Sequence, residues 1–346
     1  MTAVEVDTSE TRPTVYQPLL SVIVPVFNGG EKIGETLKEL QVKIGEIESV
    51  MWKVEYQRST KEASILRAPE LVAGGGITKV ADQEEIMVYA SGTPVETPGT
   101  PNEIIDHQSE YDSGNRESIQ RSFSTLPMWY EIIVVNDGSQ DNTRELVEKL
   151  STNDERIKLI SYSVNMGKGY AIKQGVLHSS GKYILIMDGD GNINADVLAK
   201  YLKRMNNVDI VIGSKYHPRS IVHAPASRKI LSKCFQLFAK AMLGLAVRDS
   251  QVGLKAGRGD VFRKIFEKVI VRRYAFDVEM LAIANLMELK VLELPVKIDQ
   301  DKSFKKKEMV KMALDVLGIA FRLRVIKWYQ KNLEKQRPHY SLPIFF

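Results

Sequence analysis

Four apolar segments, each followed by polar turn residues, constrain the fold more than any other feature of the sequence. Their nearly continuous runs of β-branched and aliphatic residues are typical of strands buried on both faces of a parallel sheet. The segments are Leu20–Phe27, Glu131–Val135, Ile157–Tyr162 and Tyr183–Met187. Helical patterns follow the last three at Thr143–Leu150, Gly169–Leu177 and Asp196–Met205. Strands that alternate with helices predict right-handed crossovers and an open, doubly wound, mostly parallel α/β sheet.

The chain of 346 residues is long enough for one large α/β domain, which we place at residues 18–300. Residues 45–127 interrupt the alternation of strands and helices and contain a Gly, Thr and Pro run from Gly92 to Pro101. Unstructured loops of this length are uncommon in compact domains. We predict an insertion that is partly disordered from about Gly92 to Arg121, with some strand between Met51 and Tyr89. A structured subdomain is the alternative.

The start of the chain lacks the basic residues and the apolar run of a signal peptide. No segment approaches the roughly 18 charge-free apolar residues of a membrane-spanning helix. We therefore expect a protein that is soluble or lies on a membrane. The single cysteine, Cys234, excludes an intramolecular disulfide, and we expect it to be buried or lipid-facing.

Positive charge is concentrated in the C-terminal half of the chain. The formal net charge is +5, yet residues 301–346 contain eleven Lys and Arg against four Asp and Glu, a local +7. Six basic and no acidic side chains lie between Lys215 and Lys240. This distribution predicts contact with a polyanion, a phosphate or an anionic membrane surface. No heptad pattern or Trp-rich stacking surface indicates nucleic acid.

The segment Asp188-Gly189-Asp190-Gly191-Asn192 directly follows a predicted strand, at the sheet edge where doubly wound folds bind ligands. Side chains at i and i+2 leave a strand on the same side, so Asp188 and Asp190 can reach one divalent cation. Mg²⁺ and Mn²⁺ prefer oxygen ligands, and Asn192 would add a third. An ordinary Asp-Gly turn is one alternative. The haloacid-dehalogenase motif is another, but the mid-chain position and the residue after its Gly speak against it.

A second turn, after the strand that ends near Val135, contains residues suited to a nucleotide. Asp137 would accept a hydrogen bond from a nucleobase or ribose hydroxyl, and Gly138 permits a tight turn. Ser139, Asp141 and Thr143 are expected to cap the next helix.

A third turn, Asn165–Tyr170, opens a further helix. Free N–H groups at the helix start and the Lys168 ammonium would bind phosphate. The spacing is not that of a P-loop. A solvated lysine in a glycine turn is the alternative.

In this order, the motifs VIVPVFN, EIIVVNDGSQDNT, NMGKGYA and LIMDGDGN resemble glycosyltransferase family 2, whose catalytic domain has the GT-A fold. Three later segments look like the polyprenyl-phosphate branch, dolichyl-phosphate glucose synthases first and dolichyl-phosphate mannose synthases next. These segments are Ile212–Ser220, Val247–Lys255 and Arg273–Met280. The resemblance covers roughly residues 18–44 and 128–328.

The resemblance implies a nucleotide-sugar donor, Mg²⁺ or Mn²⁺, and a set of site residues. The donor residues are Pro25, Phe27, Asn28, Asp137, Gly138, Lys168, Asp188, Gly189, Asp190, Asp249 and Gln251. The metal ligands are Asp188, Asp190 and Asn192, and the catalytic residues are Asp190, Asp277, Arg228 and Lys215. Asp277 is expected at the start of a helix that faces the crevice, with helix capping as the alternative.

Three features depart from the family pattern. Asn136 stands where the first of two aspartates is usual, so recognition of the base would depend on Asp137 alone. Gly29 and Gly30 stand where acidic residues are common, which puts the donor contacts of that loop in doubt. The insertion at residues 45–127 is not a family feature.

The reaction implied is an inverting transfer of a hexose to a polyprenyl or dolichyl phosphate, with UDP-glucose favoured over GDP-mannose. The second pKa of such a phosphate lies near ~6, so the acceptor is ionised and needs no general base. Lys215, Arg219 and Arg228, with His217 nearby, would hold it, although solvated surface charge is the alternative. Other hypotheses are transfer to a carbohydrate hydroxyl with Asp277 as base, and a non-catalytic scaffold that binds nucleotide sugars or membranes.

Two amphipathic stretches fit a lipid acceptor. In Lys229–Leu245, one apolar stripe is formed by Ile230, Leu231, Phe235, Phe238, Met242 and Leu245. Met309–Trp328 has a similar pattern, and we assign residues 301–346 to a basic membrane-interface segment. Packing onto the sheet is the alternative for both helices. We expect the cytoplasmic face of a membrane, the endoplasmic reticulum in a eukaryote or the plasma membrane in a prokaryote.

Overall fold

A nine-stranded sheet forms the centre of the computed structural model. The structure describes residues 17–30, 32–51, 53, 88–90, 93–94, 129–188, 195–299 and 306–334. The strands are β1 (Leu20–Val26), β2 (Val88–Ala90), β3 (Thr93–Pro94), β4 (Tyr130–Asp137), β5 (Ile157–Tyr162), β6 (Tyr183–Ile186), β7 (Ile210–Ser214), β8 (Ile221–His223), β9 (Lys255–Arg258), β10 (Val291–Pro295) and β11 (Lys297–Asp299). Of these, β8 and β11 form a separate two-stranded sheet.

Helices cover both faces of this sheet. They are α1 (Ile33–Glu46), α2 (Thr143–Asn153), α3 (Lys168–His178), α4 (Ala195–Arg204), α5 (Ala226–Leu243), α6 (Gly259–Lys268), α7 (Phe276–Leu286), α8 (Lys306–Ala320) and α9 (Trp328–Glu334). A π-helix, Phe321–Val325, lies between α8 and α9. The helices predicted after β4, β5 and β6 are thus confirmed within a few residues.

The strand order is β3-β2-β10-β7-β9-β6-β1-β4-β5. Strands β5, β4, β1 and β6 are parallel, and β10 is parallel to β7. Strand β9 lies antiparallel between β6 and β7, so all six of these parallel strands share one direction. The predicted mostly parallel, doubly wound sheet is confirmed. The carboxyl ends of the six strands and the amino end of β9 therefore lie along one edge.

Two apolar cores explain the continuous hydrophobic character of the strands. Along β1, Ile23 packs on one face of the sheet, whereas Val22 and Val24 pack on the other. Helices α1, α2 and α4 contribute buried residues to the second core. Helices α3, α5, α6, α7 and α8 contribute to the first. Because both faces of each central strand are covered, neither face can carry the alternating polar residues of a half-exposed strand.

The apolar stripe predicted on residues 229–245 mostly packs into the protein. Phe235 is buried, and Phe238 and Met242 pack against the same core. The outer face of α5 instead exposes Ile230 (64%) and Leu237 (59%), with exposed Cys234 between them at helical spacing. Cys234 is therefore not buried, which leaves the lipid-facing alternative.

The C-terminal segment is attached to the core by a buried polar network. Glu279 of α7 is fully buried and accepts hydrogen bonds from the backbone N–H groups of Ile270 (2.9 Å) and Val271 (2.7 Å). Its other carboxylate oxygen accepts from the Arg322 guanidinium (3.1 Å) in the π-helix and from the Tyr329 hydroxyl in α9. If the segment moved away, the buried charge of Glu279 would be left uncompensated, which is strongly destabilising. The network therefore holds the C-terminal segment against α7.

Part of the insertion belongs to the sheet. Strand β2 pairs antiparallel with β10, with Val291 opposite Tyr89, and this confirms strand near Tyr89. Ile47 and Met51, placed by the sequence within the insertion, are buried in the core. Thr93 and Pro94, at the start of the stretch predicted to be partly disordered, form β3 and pair with β2. The rest of that stretch, like most of residues 54–128, lies outside the described residues.

None of the helices that the structure describes has the length and apolar character needed to cross a membrane.

Candidate active site

The strand directions gather the predicted site residues at one edge of the sheet. Asn28, Asp188 and Lys215 follow the carboxyl ends of β1, β6 and β7, and Asp137 is the last residue of β4. Since β9 is antiparallel, its first residue, Lys255, lies at the same edge.

The loop after β1 is fixed by side chains from the loop after β4. The backbone N–H of Asn28 donates to Ser139 Oγ (2.9 Å), that of Gly29 to Thr143 Oγ1 (3.0 Å) and that of Gly30 to Asp141 Oδ2 (3.0 Å). The predicted capping role is confirmed for Asp141, whose Oδ1 accepts from the N–H of Thr143, the first residue of α2, at 3.1 Å. It is wrong for Ser139 and Thr143, whose hydroxyls accept from the loop after β1. They hold the neighbouring loop instead.

The close packing around the loop after β1 explains why glycine occupies positions 29 and 30. A Cβ at Gly30 would overlap Asn142 Oδ1, and a Cβ at Gly29 would lie 2.5 Å from Val26 Cγ2. Asn28 adopts φ 52° and accepts a hydrogen bond from the Gln140 N–H at 2.9 Å. The Phe27 ring next to it is 51% exposed, while Pro25 inside β1 is half-buried.

Asp137 fixes the turn that leads into α3. Its carboxylate is nearly fully buried and accepts from the backbone N–H groups of Met166 (2.8 Å) and Gly167 (2.9 Å). Its backbone carbonyl accepts from Asn165 Nδ2 at 3.0 Å. The contact of Asp137 with a nucleobase stays a prediction, since the side chain already has a defined structural role.

The same turn places Lys168 against Asp188. The Lys168 ammonium donates to Asp188 Oδ1 at 2.5 Å, and both side chains remain partly exposed. Burial opposes the charge on Lys168, but Asp188 and Asp277 outweigh it and raise the pKa of Lys168 above its usual value. On the other side of Asp188, a Cβ at Gly253 would lie 2.5 Å from the Asp188 carboxyl carbon. Asp188 thus contacts the Lys168 ammonium and packs closely against the backbone of Gly253.

Asp277 lies in the first turn of α7, as predicted, and is 5% exposed. Its Oδ1 atom lies 2.8 Å from the ammonium nitrogen of Lys255. Burial raises the pKa of the Asp277 carboxyl, and the ammonium groups of Lys255 and Lys168 only partly offset that effect. A buried carboxylate that lacked both ammonium groups would take up a proton.

Lys215 and Asp249 form a second buried pair. Asp249 is 2% exposed and accepts from the Lys215 N–H (2.7 Å) and the Gln251 N–H (3.0 Å). The Lys215 ammonium lies 3.0 Å from Asp249 Oδ2. Glu293 of β10 in turn accepts from the Asp249 N–H at 2.9 Å, and burial raises the pKa of Glu293. Lys215 is therefore already paired with Asp249. By contrast, Gln251 Nε2 is buried without a partner among the described residues.

The remaining predicted residues fall into two groups. Arg228 is half-buried in the first turn of α5, and neither its side chain nor that of exposed Arg219 has a partner within the described ranges. Gly189, Asp190 and Asn192 lie outside the described residues. The structure therefore does not test the metal set as a whole, and its described part contains no cluster of three metal-ligating side chains.

Sequence analysis missed Lys255, Gly253 and Glu293. Lys255 and Gly253 fall within a segment used for the family resemblance, but no local pattern places them at the site edge. One signal was available: Lys255 is the single charge in the segment Val252–Gly257, whose other residues are apolar or small. A charge at the start of a buried strand is uncommon unless it has a partner.

The sequence matches glycosyl transferase family 2 over residues 115–266. A dolichyl-phosphate beta-glucosyltransferase of Trichomonas vaginalis is 36% identical over 225 residues, 62% of this chain and 67% of the relative. That of Dictyostelium discoideum is 33% identical over 248 residues, 67% of this chain and 75% of the relative. The human protein of that name is 30% identical over 220 residues, 60% of this chain and 68% of the relative.

Solved structures resemble the chain more distantly. A glucosyl-3-phosphoglycerate synthase from Mycobacterium tuberculosis, in complex with Mn²⁺ and uridine-diphosphate-glucose, is 12% identical with a TM-score of 0.48. The alignment covers 88% of this chain and 78% of that one.

Two glycines with positive φ angles test how strongly the turn near Asp137 is packed. Gly138 (φ 71°) would place a Cβ 2.5 Å from Asn165 N, whereas Gly244 (φ 68°) has open space around it. Alanine at either position costs about 1–2 kcal/mol for the left-handed backbone. We expect Gly138→Ala to lose roughly 1–3 kcal/mol more than Gly244→Ala in urea unfolding, because it displaces backbone. Equal losses would contradict the close approach of the two turns.

Proposed function

The chain belongs to glycosyl transferase family 2, and we propose that it transfers glucose from UDP-glucose to the phosphate of dolichyl phosphate or a related polyprenyl phosphate. One observation supports this most. Lys168, Asp188 and Asp277 meet at the carboxyl edge of the sheet, in a chain 30–36% identical to three relatives named dolichyl-phosphate beta-glucosyltransferase. GDP-mannose is the second donor we consider.

The donor would lie along the edge from β1 to α3. The exposed Phe27 ring beside Asn28 offers an apolar surface for a nucleobase, with the Asp137 loop below it. The start of α3 presents Lys168 to the diphosphate, and the positive end of the helix dipole adds to its charge. The N–H groups of Gly167 and Tyr170 at this helix start already donate to Asp137 and to the Arg272 carbonyl. Asp277 and Gln251 would contact the sugar. Gln251 Nε2, which has no partner in the part of the chain that the structure describes, would donate a hydrogen bond to a sugar hydroxyl.

The residues at Asp188 suit a divalent cation. The Asp188 carboxylate already holds the positive charge of Lys168, and Mg²⁺ or Mn²⁺ usually takes one or two carboxylates plus substrate phosphates. Asp188, with Asp190 and Asn192 from the sequence motif, would hold the ion. When bound, it would stabilise the negative charge of the leaving diphosphate. Lys168 contributes a second positive charge to the same group.

In the proposed reaction, an oxygen of the acceptor phosphate attacks the anomeric carbon of glucose from the side opposite UDP. The new carbon–oxygen bond forms as the bond to the diphosphate breaks, and the configuration inverts. The acceptor is ionised at neutral pH, so the protein supplies orientation and charge rather than a base. Because Asp249 engages Lys215, we assign the acceptor contacts to Arg219 and Arg228.

A membrane surface would present the lipid acceptor. Helix α5 packs against α8, and both expose apolar residues on their outer sides. These are Ile230 and Leu237 on α5, and Val310, Leu314, Leu317, Phe321 and Val325 on α8 and the π-helix. Lys229, Lys233, Lys240, Lys307 and Arg324 are exposed on the same elements, which suits anionic lipid. We propose that the protein binds the cytoplasmic face of a membrane, in a eukaryote that of the endoplasmic reticulum.

Incubation of the protein with dolichyl phosphate, Mg²⁺ or Mn²⁺ and a panel of radiolabelled nucleotide sugars tests the reaction. We expect lipid-soluble label with UDP-glucose, and its loss with EDTA because the leaving diphosphate is then uncompensated. Adding back either ion should restore transfer. Label in a water-soluble carbohydrate, and none in lipid, would exclude this acceptor.

Transfer to a carbohydrate hydroxyl is the second candidate, since the raised pKa of Asp277 would suit a general base. If Asp277 acts as the base, Asp277→Asn would lower kcat roughly 10²–10⁴-fold without weakening donor binding. For a phosphate acceptor we expect about a tenfold loss, the effect of one lost charged contact. Asp260→Asn, the same change at the same position of α6, should leave kcat unaltered.

The outer face of α5 and α8 is tested by sedimentation with vesicles of phosphatidylserine and phosphatidylcholine. Leu237→Gln and Leu314→Gln should each weaken binding about tenfold, because an inserted leucine loses its burial. Val42→Gln changes a similarly exposed apolar residue (63%) on α1 and should have no effect. Indistinguishable binding of all variants would exclude this surface.

A further inference from the structure

We propose, building on the glycosyl transfer proposed above, that Lys255 is a positioning residue. It holds Asp277 directly and, through the Val252–Gly253 peptide, it holds the backbone that packs against Asp188. The contacts that support this role come from two parts of the chain, the first turn of α7 and the loop before β9, that meet at one ammonium group. None of them is predicted by local sequence.

Lys255 occupies an improbable place for a charged side chain. It is the first residue of β9, opposite Ile186 on β6 and Ile212 on β7, and is 1% exposed. Removal of an ammonium group from water is costly unless hydrogen bonds and an opposite charge compensate it. An apolar side chain would fill the same position in the sheet without that cost.

The ammonium group has two polar partners and one aromatic neighbour. It lies 2.8 Å from Asp277 Oδ1 and donates to the backbone carbonyl of Val252. The Phe276 ring centroid lies 6.0 Å away. The carboxylate of Asp277 is thus held at a fixed place in the first turn of α7.

The Val252 contact reaches the other carboxylate. The carbonyl that accepts from Lys255 belongs to the peptide unit that carries the Gly253 nitrogen. Gly253 is packed against the carboxylate of Asp188 so closely that no Cβ fits. By fixing this peptide, Lys255 fixes the backbone that packs against the Asp188 carboxylate.

Charges alternate across the site as a result. Lys255 faces Asp277, Lys168 interacts with both Asp277 and Asp188, and each carboxylate has one cation of its own. Without Lys255, Asp277 would be a buried charge with Lys168 as its nearest cation. The Lys168 ammonium would then shift from Asp188 toward Asp277, and it would no longer contact the donor diphosphate.

A double-substitution cycle tests this role with Lys255→Met, Asp277→Asn and the combined variant. We expect Lys255→Met to lower kcat about 100-fold and to change the KM for UDP-glucose less than about threefold. In the combined variant no buried charge is left unpaired, so kcat should be roughly threefold higher than in Lys255→Met alone. A purely structural lysine predicts a further loss on combination, and that result would overturn the proposal.

Urea unfolding of the same variants gives a readout that needs no substrate. Lys255→Met should shift the midpoint down strongly, and the addition of Asp277→Asn should recover most of the shift. If Lys255→Met does not fold, the combined variant should. A combined variant no more stable than Lys255→Met contradicts the pairing. If the stability recovery is found but no donor is turned over, the proposed reaction fails and the Lys255 pairing stands.

Lys173 of α3 provides a matched control. It is a half-buried lysine in the second turn of α3 that donates to the backbone carbonyl of Val269 at 2.7 Å. Lys173→Met should lower the unfolding midpoint and leave kcat within about twofold of the wild type. An equal loss of kcat in Lys173→Met and Lys255→Met would show that any lost lysine contact suffices, and would overturn the proposal.

Discussion

The alternating charges of Lys255, Asp277, Lys168 and Asp188 are the contacts on which the rest of the site depends. Lys255 and Asp277 are buried, whereas Lys168 and Asp188 are partly exposed. A buried carboxylate stays charged only when its partners compensate the loss of water. The positions of α3, α7 and β9 are therefore coupled through electrostatics as well as through packing.

The loops around these charges are held by hydrogen bonds rather than by regular structure. Three successive N–H groups after β1 donate to Ser139, Thr143 and Asp141, and Asp137 accepts from the turn before α3. Each bond stabilises little alone, but unmade bonds at buried positions are costly. Such fixed loops suit a reaction in which the protein contributes orientation and charge, because little has to reorganise when substrates bind.

The C-terminal helices have two faces with separate roles. Their inner residues belong to the same core as α7, and Arg322 and Tyr329 bind Glu279, two residues after Asp277. Their outer residues are apolar and flanked by lysine and arginine. The surface proposed to bind a membrane is thereby joined by hydrogen bonds to the helix that carries Asp277.

The sequence by itself determined the parallel sheet, the alternation of β1, β4, β5 and β6 with helices, the strand-end positions of Asn28, Asp137 and Asp188, and the helix-start position of Lys168. Those features follow from local patterns: apolar runs, glycine turns and the direction that crossovers impose. Only the tertiary structure decided that β9 runs antiparallel, that Lys255 reaches Asp277, that Asp249 engages Lys215 and that Ser139 holds Asn28 rather than capping α2. These contacts join residues far apart in the chain, 111 positions for Asn28 and Ser139. No local propensity encodes such a pair, because its free energy exists only once the fold has brought the two groups together and excluded water from them.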